Sequence, residues 1–326
     1  MSRDIPVVFI HNGASWYLPY ALCQAATVSP QNKVVLIGDS ATVQGISHVP
    51  VGQFSDTAWT KEFLSRYIHM SPNPKEFEQF CFLRWHYLLE YMRRHDVEAA
   101  FYFDSDVLLY TSVEDIMRIY GPMECGFLVL EQDFNQLGWW ASAHMSFWTR
   151  KSLEQFCGFI LDCFRPGEDL DLLKCKWNWH VQNRAFGGIS DMTALYLFWY
   201  RHQKEVVNLA RPLDGGVFDD NINCSANLHE KEYVLSFWRK KSRFSGGQPM
   251  LLRSADRREI RAHALHFQGA AKGYMPEFYR GVDFSGKVVS DRKHRFDYQK
   301  KIIKEALKKI IPYRRSQAIP CAENLS

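Results

Sequence analysis

The sequence has no long apolar run. The run at residues 5–10 has only six residues, fewer than the roughly 7–15 of a signal-peptide core. No stretch approaches the about 18 uninterrupted apolar residues that a membrane-spanning helix needs. These absences predict a cytoplasmic protein that does not cross a membrane.

An excess of charge of one sign is also missing from most of the chain. The 326 residues carry 40 Lys and Arg against 36 Asp and Glu, a net charge of +4. Ten of the basic residues but only three of the acidic ones follow position 291, so the residues before it are slightly acidic. A nucleic-acid-binding domain is expected to carry a basic face in its body. The charge distribution therefore argues against nucleic acid as a partner.

The eight cysteines form no CxxC pair and show no zinc-ligand spacing, and no segment repeats at a fixed period. What the chain does have is apolar material, with 46% hydrophobic and 15% aromatic residues. That composition is enough to bury a sizeable core.

Short apolar runs alternate with helical patterns along the chain. Strands are predicted at residues 5–10 and 33–39 around a helix at 16–26, a βαβ unit that implies a parallel sheet. Further apolar runs predict strands at 99–103, 123–130 and 144–148, and helical spacing predicts helices at 77–94, 153–164 and 192–202. Residues 165–183 show no clear pattern. The sequence predicts one α/β domain over residues 1–290, with a mostly parallel sheet flanked by helices, and a basic tail over 291–326.

The stretch FYFDSDVLLY places two carboxylates, Asp104 and Asp106, directly after a buried strand. Ligand sites in open α/β sheets lie just beyond the carboxyl ends of strands. Two neighbouring carboxylates repel each other unless a cation lies between them, and oxygen ligands suit Mg²⁺ or Mn²⁺. A solvated turn with an Asx-type hydrogen bond explains the pair equally well.

A second pattern, HALHFQGAAKGY, spaces His266, Gly269 and Lys272 three residues apart. A glycine lets the backbone approach a phosphate, a lysine neutralises it, and an imidazole can join carboxylates around a metal ion. By itself His266 also fits a core histidine. Together with the acidic loop, however, the pattern favours a site for a metal ion and a phosphate ligand.

With these elements in this order, the chain resembles the GT-A nucleotide-sugar glycosyltransferases, whose fold is a Rossmann-like α/β domain. The similarity is greatest to family 8, the glycogenins and the bacterial lipopolysaccharide galactosyl- and glucosyltransferases. The HFxGxxKPW motif of that family corresponds to His266–Tyr274, with Gly273 and Tyr274 in place of Pro and Trp. These two replacements leave the sub-family and its donor open.

The resemblance implies a metal-dependent hexosyltransferase that uses a nucleoside diphosphate sugar, with UDP as the expected nucleotide. It implies that Asp104, Asp106 and His266 bind Mn²⁺ or Mg²⁺, with Ser105 beside the donor. Lys272 and the backbone at Gly269 would hold the diphosphate. The expected acceptor is a saccharide or glycolipid, as in the synthesis of a surface polysaccharide.

Other donor contacts follow from position in the family pattern. Arg84, on the helix before the acidic loop, corresponds to a basic residue near the donor phosphates or sugar, and an ion pair is its other interpretation. The ends of the first two strands are where the family binds the nucleoside; a turn or capping role is equally open for the residues there, which are His11, Asn12, Gly13 and Asp39.

Acceptor and catalytic residues are less clearly marked. The Trp139–Trp140 pair could stack on a sugar ring, although such residues more often belong to the core. His144 falls where related enzymes line the donor sugar. Asp191 begins a helix, so it is either part of a helix N-terminus or an acidic group near the reacting carbon. The sequence Asp219–Asp220 is interpreted as a turn.

Two other functions fit part of the sequence. A phosphatase of the haloacid dehalogenase type also has an apolar strand followed by DxD, with the first carboxylate as nucleophile and the second as acid/base. Such enzymes usually open with that motif, whereas here it begins at residue 104. The second alternative is a catalytically inactive relative that binds carbohydrate.

The basic tail has helical spacing of apolar residues over 298–315, with lysines on much of the remaining surface. This pattern is typical of an amphipathic helix that lies on an anionic membrane, and it equally fits a helix that packs on the protein's own core. The first interpretation would make the enzyme peripheral on the inner face of the membrane.

Overall fold

A computed structural model describes residues 5–39 and 43–282. Its strands are β1 (Val7–His11), β2 (Val34–Gly38), β3 (Ser47–Val49), β4 (Ala99–Phe103), β5 (Val107–Leu109), β6 (Cys125–Val129), β7 (Ala141–Thr149), β8 (Val206–Asn208), β9 (Gly216–Phe218), β10 (Leu235–Ser236), β11 (Arg239–Lys240), β12 (Ser242–Ser245), β13 (Gln248–Leu252) and β14 (Glu259–His266). Its α-helices are α1 (Leu18–Val28), α2 (Gly52–Ser55), α3 (Ala58–Arg66), α4 (Lys75–Arg94), α5 (Val113–Tyr120), α6 (Arg150–Cys163), α7 (Glu168–Asn183), α8 (Asp191–Arg201) and α9 (Met275–Phe278). Two 3₁₀ segments lie at Phe134–Gln136 and Gly269–Tyr274.

The main sheet has seven strands in the order β3-β2-β1-β4-β7-β6-β8. Strands β3, β2, β1 and β4 pair in parallel, β7 is antiparallel to both of its neighbours, and β8 pairs parallel with β6. The predicted α/β class, with a mostly parallel sheet flanked by helices, is therefore confirmed.

The two faces of this sheet belong to different hydrophobic clusters, because successive side chains on a strand point to opposite sides. On β1, Val8 and Ile10 join a cluster with residues of α3, α4, α6 and α8. Val7 and Phe9 face the other way, into a cluster with α1, α5 and the second sheet. Both faces are covered, which explains why the strands read as continuous apolar runs.

The second sheet follows the order β12-β13-β14-β5, and β9 also pairs with β14. Strand β14 is antiparallel to β5 and parallel to β9. This sheet joins the segment after the acidic loop to the segment that ends at His266, although the two are far apart in sequence.

Helix α7 occupies the region where the sequence shows no clear pattern. Its buried side chains are regularly spaced on one face, but two of the five, Lys176 and His180, are polar. Hydrophobic spacing is the main helix signal in a sequence, so these two residues conceal it. Lys176 is accommodated because its ammonium donates to the carbonyl oxygens of Leu137 and Trp139, at 2.6 and 2.8 Å.

Within residues 5–39 and 43–282, no helix is both long enough and apolar enough to cross a membrane. The basic tail, including the amphipathic helix expected over 298–315, lies outside the described residues.

A buried histidine of the second sheet predicts a loss of stability in acid. Burial lowers the pKa of His263 to about 4, below the about 6.5 of an unfolded histidine. The unfolded chain therefore binds the extra proton first, and the contribution of this residue to stability is lost as the pH falls below about 6.5. Between pH 7 and pH 5 that loss is about 2 kcal/mol.

Urea unfolding of the wild type and of His263→Gln at both pH values measures this contribution. We expect the substituted protein to lose about 2 kcal/mol less than the wild type over the same interval. Equal losses in the two proteins would show that His263 does not titrate as its burial predicts.

Candidate active site

The candidate site lies where the connections of the main sheet change direction. From β1 the sheet continues to β2 and β3 on one side. On the other side of β1 it continues to β4 and then β7. Strands β1 and β4 are parallel neighbours, so their carboxyl ends lie side by side. Crevices at such a point are the usual ligand sites of open α/β sheets. His11 ends β1, and the acidic loop follows β4.

Strand pairing brings the two sequence motifs together. His266 is the register partner of Val107 in the antiparallel pair of β14 and β5. The Phe267 N–H also donates to the Asp106 carbonyl oxygen at 2.9 Å. Motifs that lie 160 residues apart therefore meet at one edge, as the sequence pattern predicts.

Asp106 contacts both a cation and an imidazole. Its Oδ2 lies 2.5 Å from Lys272 Nζ, and its Oδ1 lies 3.5 Å from His266 Nε2. Burial alone would raise the pKa of Asp106, but His266 and Lys272 together hold it well below its usual range. Asp106 is therefore an ionised carboxylate although it is only 8% exposed.

His266 is oriented by its other ring nitrogen. Its Nδ1 donates to the Asp220 carbonyl oxygen at 2.6 Å, so Nε2 is the ring nitrogen that faces Asp106. A hydrogen bond of this kind on the far nitrogen is typical of histidines that bind metal ions. Burial lowers the pKa of His266, but Asp106 more than compensates and raises it.

Asp104 faces a different partner. Arg84 Nη1 donates to Asp104 Oδ1 at 2.8 Å, and the Tyr102 hydroxyl donates to the same oxygen. Arg84 is itself anchored by Asp191, with Nη2 to Oδ2 at 2.5 Å, and Trp85 Nε1 donates to that oxygen at 2.9 Å. Arg84 is therefore a buried link between the acidic loop and the start of α8.

The donor types at the site suit a divalent cation. Asp106 Oδ1 and His266 Nε2 offer a carboxylate oxygen and an imidazole nitrogen close together. The third expected ligand, Asp104, has its carboxylate directed at Arg84 and Tyr102. In the part of the chain that the structure describes, no group of three or more His, Cys, Asp or Glu side chains is placed to hold a metal ion. Two ligands are thus in position and the third is not.

The residues expected at the nucleoside end lie along the same edge. Ser105 Oγ is 2.9 Å from His11 Nδ1, which ties the acidic loop to the end of β1. Asn12, Gly13 and Asp39 are exposed at the ends of β1 and β2. The two strand ends are close enough that a Cβ on Gly38 would lie 2.1 Å from the His11 carbonyl oxygen, so only glycine fits there.

Lys272 and Gly269 lie on the 3₁₀ segment that follows β14. Gly269 has φ +57° with open space around it, so its backbone conformation, not crowding, favours glycine. The Lys272 ammonium lies 5.2 Å from the centre of the Tyr17 ring, within cation–π range. Burial lowers the pKa of Lys272, but the neighbouring Asp106 carboxylate raises it by more. Lys272 therefore remains a cation.

Three expectations need correction. Trp139 is fully buried, with its ring stacked between Phe134 and Tyr196, so its faces are covered and cannot receive a sugar.

His144 has both ring nitrogens occupied, by Ser142 and by the Asp219 carbonyl, and its ring stacks on that of His266 with 3.8 Å between the ring centres. It therefore supports the His266 ring and does not line a sugar pocket.

Asp191 is the third of these residues. It is only 2% exposed, and its Oδ2 accepts bonds from Arg84 and Trp85. As placed, it anchors Arg84 and has no access to a reacting carbon. The other member of the tryptophan pair, Trp140, is half-buried.

The interpretation of Asp219 and Asp220 as a turn missed an important part of the site. Lys240 Nζ lies 2.5 Å from Asp219 Oδ1, and both side chains are fully buried. Asp219 Oδ2 accepts the His266 N–H at 3.2 Å. Burial raises the pKa of Asp220 to about 6. Two adjacent acids after an apolar run were the available signal, but nothing in the sequence identifies Lys240 as their partner.

No protein-family model and no curated protein matches the chain in sequence. Solved structures that it is similar to include mouse xyloside xylosyltransferase 1 in the apo form (11% identity, 63% of this chain and 85% of that chain, TM-score 0.44). A second is the galactosyltransferase LgtC in complex with donor and acceptor sugar analogues (12% identity, 91% of this chain and 96% of that chain, TM-score 0.42). A third is the apo bifunctional glycosyltransferase WbbM (10% identity, 84% of this chain and 49% of that chain, TM-score 0.44). All three are glycosyltransferases by name.

Proposed function

We propose that this protein is a metal-dependent glycosyltransferase that moves a sugar from a nucleoside diphosphate donor, UDP in the first instance, to a saccharide or glycolipid acceptor. One observation carries the proposal: an ionised carboxylate, an oriented imidazole and a lysine converge beyond the carboxyl ends of the neighbouring strands β1 and β4. These are the groups that a diphosphate leaving group and its cation require.

The diphosphate is assigned to Lys272 and the backbone at Gly269. Lys272 forms its ion pair with Asp106 across the site. A bound diphosphate offers Lys272 a second set of anionic oxygens, and charge-assisted bonds to phosphate are strong. The left-handed backbone at residue 269 favours glycine, so no side-chain atoms of Gly269 obstruct the approach of a phosphate to its backbone.

The cation, Mn²⁺ or Mg²⁺, is assigned to Asp106 and His266. When bound, such an ion neutralises and orients the departing diphosphate. Arg84 and Tyr102 both donate to Oδ1 of Asp104, so Asp104 would join these ligands either through Oδ2 or by giving up its bond to Arg84, which would then remain paired with Asp191. The Arg84–Asp191 pair therefore keeps the cationic side chain beside the acidic loop in either arrangement.

The nucleoside is assigned to the ends of β1 and β2, at His11, Asn12, Gly13 and Asp39, with Ser105 between them and the acidic loop. The exposed positions among these residues offer amide and carboxylate groups to a base or ribose. Burial lowers the pKa of His11, although Asp104 and Asp106 oppose that effect. Its two ring nitrogens lie 2.9 Å from the hydroxyl oxygens of Ser15 and Ser105, so His11 orders the end of β1 and the acidic loop beside the nucleoside.

A thermal-shift panel of nucleotide sugars with Mn²⁺ tests this proposal. We expect one donor to raise the Tm of the wild type by about 5 °C at about 100 times its Kd, because ligands that bind only the folded state stabilise it. The shift should be lost in Asp106→Ala. It should persist in the control Asp56→Ala, because the Asp56 side chain is 82% exposed and pairs with Lys61 at the surface.

The alternative functions give different results in the same panel. No shift with any donor would contradict the proposal. Hydrolysis of a small phosphomonoester without nucleotide binding would favour a phosphatase of the haloacid dehalogenase type. A donor shift without any release of UDP would indicate an inactive carbohydrate-binding relative.

A further inference from the structure

Two aromatic side chains stand exposed at the tip of a small hairpin. Strands β10 and β11 pair antiparallel, with Ser236 opposite Arg239, so Phe237 and Trp238 form the two-residue turn. Each of these two side chains is 88% exposed. Burying an aromatic ring is favourable, so two adjacent exposed rings point to a binding role.

The backbone of this turn is unusual for aromatic residues. Phe237 has φ +50° and Trp238 has φ +65°. Turns with positive φ at both central positions favour Asn-Gly, and bulky residues in this region are strained. Strained backbone of this kind clusters at functional sites, where it places a side chain in a fixed direction.

The hairpin is rooted in the candidate active site. The Lys240 ammonium pairs with Asp219, whose carboxylate also accepts the backbone N–H of His266. On the other side, the Arg239 guanidinium donates to both carboxylate oxygens of Glu277 at 2.9 Å and covers the Tyr274 ring at 4.8 Å. The aromatic tip is therefore held in a fixed position relative to His266 and to the 3₁₀ segment that carries Lys272.

Amide side chains lie between the hairpin and that 3₁₀ segment. Asn221 Nδ2 donates to Gln268 Oε1 at 2.7 Å, and the carbonyl of the next residue, Ile222, accepts the Lys240 N–H. Amides both donate and accept hydrogen bonds, which suits sugar hydroxyls. Aromatic faces beside amides match a pyranose ring, which has an apolar face and a rim of hydroxyl groups.

Three of the four basic side chains between positions 239 and 243 are already neutralised, and the fourth, Lys241, is exposed. Arg239 is paired with Glu277, Lys240 with Asp219 and Arg243 with Glu259. Attraction to an anionic membrane needs basic side chains whose charge is not already neutralised. The pairing thus favours a saccharide as the ligand of the aromatic tip.

We propose that Phe237 and Trp238 are the acceptor platform, on which a pyranose ring of the acceptor saccharide stacks. The assignment rests on the proposed function and adds to it the place where the acceptor binds. It transfers to the hairpin the stacking role that the sequence suggests for Trp139 and Trp140.

Fluorine NMR of the full chain labelled with 5-fluorotryptophan tests the platform without requiring the donor. The Trp238 resonance, one of ten, is identified by its loss in Trp238→Phe. Methyl β-glucoside, methyl β-galactoside and lactose are the probes, each titrated with and without UDP and Mn²⁺. We expect at least one of them to shift the Trp238 resonance, and Phe237→Ala to weaken that binding about fivefold.

The control is Phe186→Ala, which removes an aromatic side chain that is 90% exposed and distant in sequence from the hairpin; it should leave the titration unchanged. A Trp238 resonance that responds to phosphatidylglycerol vesicles and to none of the sugars would overturn the platform in favour of a membrane contact. A resonance that responds to neither would overturn it as well. The donor-induced Tm shift of Trp238→Ala separates the two proposals, because it should equal that of the wild type if the donor site exists.

Discussion

Replacing Asp106 with Asn lowers the rate of UDP release from the donor at least about a thousandfold, the equivalent of about 4 kcal/mol of transition-state stabilisation. The substitution keeps the size of the side chain and removes its charge. Lys272 and His266 both face that charge, at 2.5 and 3.5 Å. An amide can neither neutralise the lysine nor serve as an anionic ligand for the cation.

Initial rates of UDP release, with the donor identified by thermal shift, measure the effect. Asp56→Asn is the matched control, because it is the same substitution at an exposed position and should retain the wild-type rate. Urea unfolding shows whether Asp106→Asn is folded at the assay temperature. A folded Asp106→Asn protein with more than about a tenth of the wild-type rate would contradict the role given to this carboxylate.

Replacing Lys240 with Met destabilises the protein by about 3–5 kcal/mol. The Lys240 and Asp219 side chains are both fully buried, so the substitution leaves a buried carboxyl group without its cationic partner. Breaking such a pair from one side costs far more than removing both charges together. The free energy of unfolding in urea, with circular dichroism as the probe, gives the value.

The double variant Lys240→Met with Asp219→Asn is the control for this effect. It should recover much of the lost stability, since neither charge then remains buried and an Asn side-chain oxygen can still accept the His266 N–H. A loss below about 1 kcal/mol in Lys240→Met would show that Asp219 is not held as a buried charge. A double variant that is no more stable than Lys240→Met would lead to the same conclusion.

The parts of the fold that the sequence predicted well are those with uninterrupted apolar runs. Strand β4 was predicted at its observed bounds, residues 99–103, because both of its faces are buried and every position is apolar or aromatic. Helix α4 differs from its prediction by only two residues, at its start. Helix α7 was missed because its buried face contains Lys176 and His180, whose polar groups obscure the helical spacing.

The motifs of the site could be found in the sequence, but their contacts could not. The sheet rule placed Asp104 and Asp106 at a strand end, and the pairing of β5 with β14 brings His266 and Lys272 beside Asp106. That Asp104 faces Arg84 depends on Asp191, which lies 107 residues further along the chain than Arg84. No spacing in a single sequence reveals such a contact.

The roles of single aromatic and acidic residues were the least predictable. Trp139 and Trp238 each belong to a pair of adjacent aromatic residues, yet Trp139 is fully buried and Trp238 is 88% exposed. The difference comes from their surroundings: Tyr196 and Phe134 enclose Trp139, whereas the turn at 237–238 projects from the molecule. Similarly, Asp219 and Asp220 resemble a turn until Lys240 is seen to lie beside them.

The release of UDP from a UDP-sugar by the purified 326-residue protein tests the central claim most directly. The reaction is followed with Mn²⁺ present, with Mn²⁺ removed by a chelator, and with Asp106→Asn. We predict that one UDP-sugar is turned over by the wild type with Mn²⁺ and that both the chelator and the substitution abolish the reaction. Turnover that is unaffected by the chelator and by Asp106→Asn, or no turnover of any UDP-sugar, would contradict the account.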